Sequence, residues 1–410
     1  MRDLKIVLSA GIAVSVLAAA AANAQDALSP DRDYGINVGQ ANISPYIHLG
    51  YFYDDNPDFV RKGEKGGKYA TSDDYDSAGY NIRPGIDLKL PGNDVTLTGN
   101  AFYSLERYDK DFMEDRDEWG ESLGLTVNAP RDLDISVSEL YRYVSEEDED
   151  AVRWDDRYEL RAGASVHKGI GERTGLTVSG HYDSIDYDNE YLYDRDSYGI
   201  GARLSRAVTE KMNAQVSGHY TGSGSDGQDG TADTWTALVG VSSRATDKIT
   251  YDLNVGYHLY SGFGSDNDES TVAYSASVKW AATDKFNVSL SGSSEFHPSE
   301  DEADNSIRVY RVGLGAAYRP VERWLFTARL GYTDEDYTKK VYTGANTIMD
   351  GRIAGKNRHD GFYSMSLGAA FALAKFASIN GGFVYSFDES SIEAYEYDRW
   401  RATIGLSLRY

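Results

Sequence analysis

From about residue 44 to the last residue, one pattern repeats along this chain. Segments of about 10 to 14 residues carry apolar side chains at every second position, and the connections between them are alternately short and long. Val95, Leu97, Gly99, Ala101, Tyr103 and Leu105 share one face of such a segment, and Thr96, Thr98, Asn100, Ser104 and Glu106 share the other. Strand side chains point to opposite faces in turn, so this is the period of a β-strand with one greasy and one polar side. The same alternation runs through Tyr158, Leu160, Ala162, Ala164 and Val166, through Ile249, Tyr251, Leu253, Val255, Tyr257 and Leu259, and through Tyr310, Val312, Leu314, Ala316 and Tyr318.

The connections alternate in kind as well as in length. Pro91-Gly92-Asn93-Asp94, Ala129-Pro130-Arg131-Asp132, Ala245-Thr246-Asp247-Lys248 and Ala282-Thr283-Asp284-Lys285 read as tight hairpin turns, as do Lys168 to Thr174, Ala207 to Lys211, Arg319 to Arg323 and Leu373 to Lys375. The long connections, such as Asp54 to Asp76, Ser145 to Asp156 and Asp334 to Asp360, are rich in Asp, Glu, Gly and Ser. Eight short and nine long connections separate about 18 strands, from Ser44–Tyr53 to Trp400–Tyr410. An even number of strands, short turns on one side and long loops on the other is the rule of the bacterial outer-membrane barrel. The expected fold is therefore all-β: a transmembrane antiparallel up-and-down barrel with short periplasmic turns and long acidic extracellular loops. A periplasmic sandwich or propeller is the rival, and acidic loops confined to one end would be odd there.

Both ends of the sequence agree. Arg2 and Lys5 precede an apolar, Ala-rich run from Ile6 to Ala22, and Ala22-Asn23-Ala24 has the small-x-small form of a cleavage site. Residues 1–24 read as a secretory signal peptide, 25–43 as a periplasmic or lumen lead-in, and 44–410 as one barrel domain. At the other end, Thr403 to Tyr410 alternates and stops on an aromatic residue, resembling the signal read by the outer-membrane assembly machinery. A closing strand also leaves no unpaired edge.

Composition narrows the function. The formal charge of −24 excludes nucleic-acid binding through phosphate contacts. No stretch after the leader is long and apolar enough for a transmembrane helix. The chain has 32 Tyr against 13 Phe, and Tyr suits a bilayer interface because its ring is apolar and its tip polar. Trp119, Tyr141, Tyr158, Tyr220, Trp235, Tyr363 and Trp400 fall toward the long-loop ends of the apolar face, and Trp280, Phe286, Tyr318, Trp324, Phe371 and Tyr410 toward the short-turn ends, which makes two aromatic belts. Glu121 and Glu139 break the apolar face: each sits near an interface, or a one-residue bulge turns it inward.

The polar face carries the candidate pore-lining residues Arg83, Arg142, Arg161, Arg203, Arg311, Arg329, Arg401, Glu106 and Glu159. Opposed charges at a narrow point create a transverse field that selects solutes. The plainer reading is that a large barrel needs a polar interior and the charges pair to hold the wall. Six of the seven His, including His48, His181, His219 and His258, are also inward by phase, but on strands too far apart for one site. The acidic loops, such as Glu146 to Asp150 and Glu300-Asp301-Glu302, suit divalent cations or bridges to lipopolysaccharide phosphates, without an EF-hand register. No nucleophile arrangement, phosphate loop or zinc spacing stands out, so neither an enzyme nor a bound cofactor is expected.

Gly39 to Asn56, with Tyr53-Asp54-Asp55-Asn56 leading into a long loop, and the turn Tyr318 to Trp324 resemble the putative beta-barrel porin type 2 family. That resemblance implies an outer-membrane barrel linked to exopolysaccharide export, and carries over no catalytic residue. The expected function is a porin-like channel for hydrophilic solutes or a polysaccharide. The alternative is a structural or surface-interaction barrel whose acidic loops bind cations. The expected partners are outer-membrane lipid, lipopolysaccharide and the permeant solute; the oligomeric state is not fixed by the sequence.

Overall fold

The computed structural model describes residues 35–57, 76–110, 115–148, 153–188, 194–226, 231–262, 268–298, 306–340, 357–392 and 396–410. Among the described residues, nineteen strands lie in one sheet. Eighteen of them, β2 (Ala41–Asp54) to β19 (Tyr397–Arg409), pair antiparallel with their sequence neighbours. β19 then pairs with β2, from Arg401↔Asp54 to Arg409↔Tyr46, which closes an up-and-down barrel. The short β1 (Ile36–Val38) folds back onto Ala41–Ile43, the stretch of β2 edge that lies beyond the end of β19. An otherwise bare edge is thereby covered.

The wall is inverted relative to a soluble protein. Along β12 (Ile249–Ser261), Leu253, Val255, Tyr257 and Leu259 are 40–62% exposed, while Asp252, Asn254 and His258 are 6–8% exposed. A sheet that shows its apolar side and hides its polar side is stable only where the outside is hydrocarbon. Ring contacts follow the outer face near its loop end: Trp119 with Tyr141, Tyr198 with Tyr220 and Tyr220 with Trp235, Tyr332 with Tyr363. A second set, Phe286 with Tyr318 and Trp324 with Phe371, lies at the short-turn end.

The short turns form a knitted rim. Each is bonded by its backbone to a neighbouring strand, as in Asn128 N to Asp94 O (2.7 Å), Ala281 N to Lys248 O (2.7 Å) and Arg409 N to Phe376 O (2.9 Å). Tyr410 N donates to Pro45 O at 3.0 Å, so the last residue completes this rim across the closing seam. Between β7 (Arg153–Ile170) and β8 (Thr174–Tyr187) the turn relies on Gly171, whose φ of +69° is strained for a residue with a Cβ.

Two features depart from the sequence reading. The strands run farther toward the loop side than the alternation suggested: β16 (Trp324–Lys340) and β17 (Asn357–Ala374) take in both ends of the expected loop from Asp334 to Asp360. Apolarity marks only the part of a strand that meets lipid, so the sequence pattern stops short of the wall's true end. The other departure is a break between β13 (Asp268–Thr283) and β14 (Phe286–Pro298). Their pairing ends at Ser275↔Ser293, although β13 stays paired with β12 up to Asp268 and β14 with β15 (Ser306–Tyr318) up to Pro298. Above that rung, side chains of the inner face of β12 meet residues that have the outer phase on β14. Tyr260 stacks on Phe296 at 4.9 Å, and His258 Nε2 lies 3.1 Å from Ser294 O. The upper end of β14 is thus lapped beneath its neighbour rather than zipped to it.

Candidate functional site

The inner face is built by two periodicities acting together. Residues two apart on a strand share it, and rung partners on adjacent strands share it. On β7, Arg157, Glu159 and Arg161 follow one another on this face, and Glu159 is the rung partner of Arg142 on β6 (Leu133–Asp148). The result is a cluster of three guanidinium groups on one carboxylate. Arg142 Nη2 lies 2.7 Å from Glu159 Oε2, Arg157 Nε 3.0 Å from Oε1, and Arg161 Nη2 3.2 Å from Oε2. Glu159 is 2% exposed, and Glu118 stands farther off at 4.0 Å from Arg142 Nη1. Three cations converge on this one buried acid, with Glu118 and Asp183, the rung partner of Arg161, at the margin, so the positive charge is concentrated locally around Glu159 in a chain whose formal charge is −24.

A second group straddles the closing seam. Arg401 on β19 forms a two-pronged pair with Glu106 on β4 (Val95–Tyr108), at 3.0 and 2.7 Å. Its guanidinium lies 3.9 Å above the Phe52 ring, and Phe52 makes an edge contact with Tyr108 at 5.2 Å. Arg399 grips the fully buried Asp54, with Nε at 3.0 Å from Oδ1 and Nη2 at 2.5 Å from Oδ2. Elsewhere, Arg83 stacks on Phe102 at 3.7 Å, and Arg311 pairs with Glu295. Arg203 and Arg329 occupy inner-face rungs beside Ser217 and Gly315. The nine candidates therefore share one face but not one site. Arg142, Arg161 and Glu159 come together, as do Arg401 and Glu106, while the other four stand on separate strands.

Three participants escaped the sequence reading. Asp54 lies at a strand end that the alternation assigned to an acidic connection, and Arg157 and Arg399 each lie one residue before the segments read from Tyr158 and Trp400. Extending the period by one rung would have found them: Arg157-x-Glu159-x-Arg161 and Arg399-x-Arg401 keep the inward phase.

Other parts of the inner face pair among themselves. Gln215 donates to Asp252 Oδ1 (2.9 Å) and Asn254 Oδ1 (2.6 Å) across β11 (Ala232–Arg244). Gly240 makes room for this bridge, since a Cβ there would overlap Asn254 Oδ1. Arg358 and Ser390 both donate to Asp360, each at 2.5 Å. Glu121 and Glu139 point outward, and the pairings of β5 (Arg116–Ala129) with β6 and of β6 with β7 have no register shift that would turn them in. Among the described residues no group of three or more His, Asp or Glu is arranged to hold a metal ion. The acidic stretch Glu300-Asp301-Glu302 and the middle of the loop from Asp334 to Asp360 lie outside the described residues, and so does the signal peptide.

An inverted, closed antiparallel wall with a charged interior defines an outer-membrane β-barrel of the porin kind. The chain belongs to the family described as putative beta-barrel porin 2, whose model matches residues 29–410. A search of curated proteins finds no match. Among solved structures, the outer membrane protein opdK of Pseudomonas aeruginosa is 13% identical with a TM-score of 0.45, covering 90% of this chain and 99% of its own. OccAB4 of Acinetobacter baumannii is 10% identical with a TM-score of 0.45, covering 93% and 100%. The siderophore receptor PirA of Pseudomonas aeruginosa is 10% identical with a TM-score of 0.44, covering 89% and 80%. Likeness at this level carries no argument about solute.

Proposed function

We propose that this protein is a channel of the bacterial outer membrane for hydrophilic solutes, exported through a cleaved signal peptide, with a preference for anions. The Arg142–Arg157–Arg161 cluster on the single buried carboxylate of Glu159 carries the reading. A concentrated positive field inside a low-dielectric wall raises the local concentration of anions and slows cations. The finer reading, supported by the family resemblance alone, is that an exported polysaccharide is the physiological solute.

A second reading has its own support. Asp54, Glu159, Asp252, Arg358 and Arg399 are buried and paired off, as befits a barrel whose interior is packed and structural. Planar-bilayer recording separates the two. A channel gives stepwise conductance whose reversal potential in a salt gradient favours anions, and Arg161→Glu moves that potential toward cations. A structural barrel gives no steps.

A further inference from the structure

The lipid-facing wall is not uniform. Across β15, β16, β17 and β18 (Ala377–Ser390) it sinks into an apolar groove of about 520 Å³. The register explains the depression. Ala316 is the rung partner of Ala328, and Ala369 is the rung partner of Gly381, so small residues run diagonally between large neighbours here. Phe286, Phe326 and Phe383 form its sides. Below it, at the short turn, a second depression of about 520 Å³ is lined by Val321, Glu322, Arg323, Trp324 and Phe371. The Trp324 and Phe326 rings stack at 5.5 Å and join the two. Arg323 is exposed at the rim, and the adjacent turn brings Lys285, whose Nζ donates to Pro320 O at 2.7 Å.

We propose that this paired depression binds one glycerophospholipid of the periplasmic leaflet, with an acyl chain in the upper groove and the phosphate on Arg323. Depth argues for it. The groove faces outward within the apolar band, at the short-turn side, where acyl chains of that leaflet lie and water does not. Charge argues for it too. Arg323 and the neighbouring Lys285 set two cations against the one carboxylate of Glu322 at the end of an apolar channel, which matches a phosphodiester at the end of a chain, and basic pockets at the membrane surface bind lipid headgroups in this way. Trp324 sits between the two, at the level where amphipathic rings meet headgroups. The site lies on the outside of the wall and does not depend on whether the lumen conducts.

Native mass spectrometry of the barrel, released from micelles after exhaustive detergent exchange, tests this on the full mature chain. Only protein that migrates as the folded, heat-modifiable form is scored. The wild-type barrel should retain one phospholipid. Ala328→Phe, which fills the groove, and Arg323→Glu, which repels the phosphate from an exposed turn, should each lower the bound fraction several-fold. Val239→Phe, on the outer face of β11, should leave it unchanged. A wild-type barrel without a phospholipid adduct overturns the proposal. So does a bound fraction on Ala328→Phe or Arg323→Glu equal to the wild type's, an adduct with the mass of a lipopolysaccharide lipid anchor, or a loss on Val239→Phe as large as on those two variants.

Discussion

Arg401 and Glu106 are 295 residues apart and meet in a two-pronged ion pair that spans β2 and β3 (Ser77–Pro91) on the inside of the wall. The β19–β2 seam it crosses holds rungs only from Arg401 to Arg409. The pair therefore acts as a clamp on the place where the cylinder closes, with Arg399 and Asp54 beside it. Its charges cancel, and each side chain is less than one-fifth exposed. Replacing Glu106 with Gln leaves the half-buried Arg401 guanidinium with only the more distant Asp54 carboxylate, 3.8 Å away, as counter-charge, which costs on the order of 3 kcal/mol. The expected outcome is a clear drop in the temperature at which the folded electrophoretic band converts to the unfolded one. An unchanged conversion temperature would mean that the seam holds without the clamp.

The Glu159 cluster answers differently. Glu159→Gln removes the shared carboxylate and leaves three arginines facing the lumen, so anion preference rises and stability falls together. Arg161→Glu lowers anion preference several-fold with a smaller stability loss, because Arg142 and Arg157 still satisfy Glu159. Reversal potentials in a salt gradient, read beside the thermal conversion of the same preparations, measure both.

Glu139 faces lipid at the rung between Leu123 and Ala162, one position below the Tyr141 girdle on its strand. A carboxylate there costs something, but less than a basic residue would at the bilayer midplane. Glu139→Leu is expected to stabilise the barrel by about 1 kcal/mol in a lipid-reconstituted unfolding titration. Destabilisation would place Glu139 against something other than hydrocarbon.

The lapped seam makes a geometric prediction. Ser275 and Ser293 are rung partners, so a Ser275→Cys, Ser293→Cys pair should oxidise to a disulfide. Ala273 and Glu295 would be the next inner-face rung of a regular sheet. The Ala273→Cys, Glu295→Cys pair should stay reduced, because the pairing ends below it. Efficient cross-linking of the upper pair would mean the sheet is continuous there.

The barrel, its strand count and its inside-out polarity were legible in the sequence because a period of two, sampled some 18 times, leaves few folds to choose from. The inward set from Arg83 to Arg401 was legible for the same reason. The grouping of that set was not: which residues meet depends on strand stagger, and nothing local in Glu106 announces Arg401. Asp54, Arg157 and Arg399 were hidden because strand ends above the lipid lose their apolar alternation. The lap of β14 under β13 was invisible because Ser294 and Phe296 keep a normal strand phase, and only contacts across the seam reveal the displacement.

The inverted wall is tested most directly by single cysteines at positions 177 to 182 of β8, introduced one at a time in proteoliposomes and treated with a membrane-impermeant maleimide. Thr177, Ser179 and His181 occupy the inner face, and Val178, Gly180 and Tyr182 the outer. Labelling is predicted to alternate, strong at 177, 179 and 181 and weak at 178, 180 and 182. Uniform labelling of all six, or alternation in the opposite phase, would contradict a barrel with lipid outside and water within.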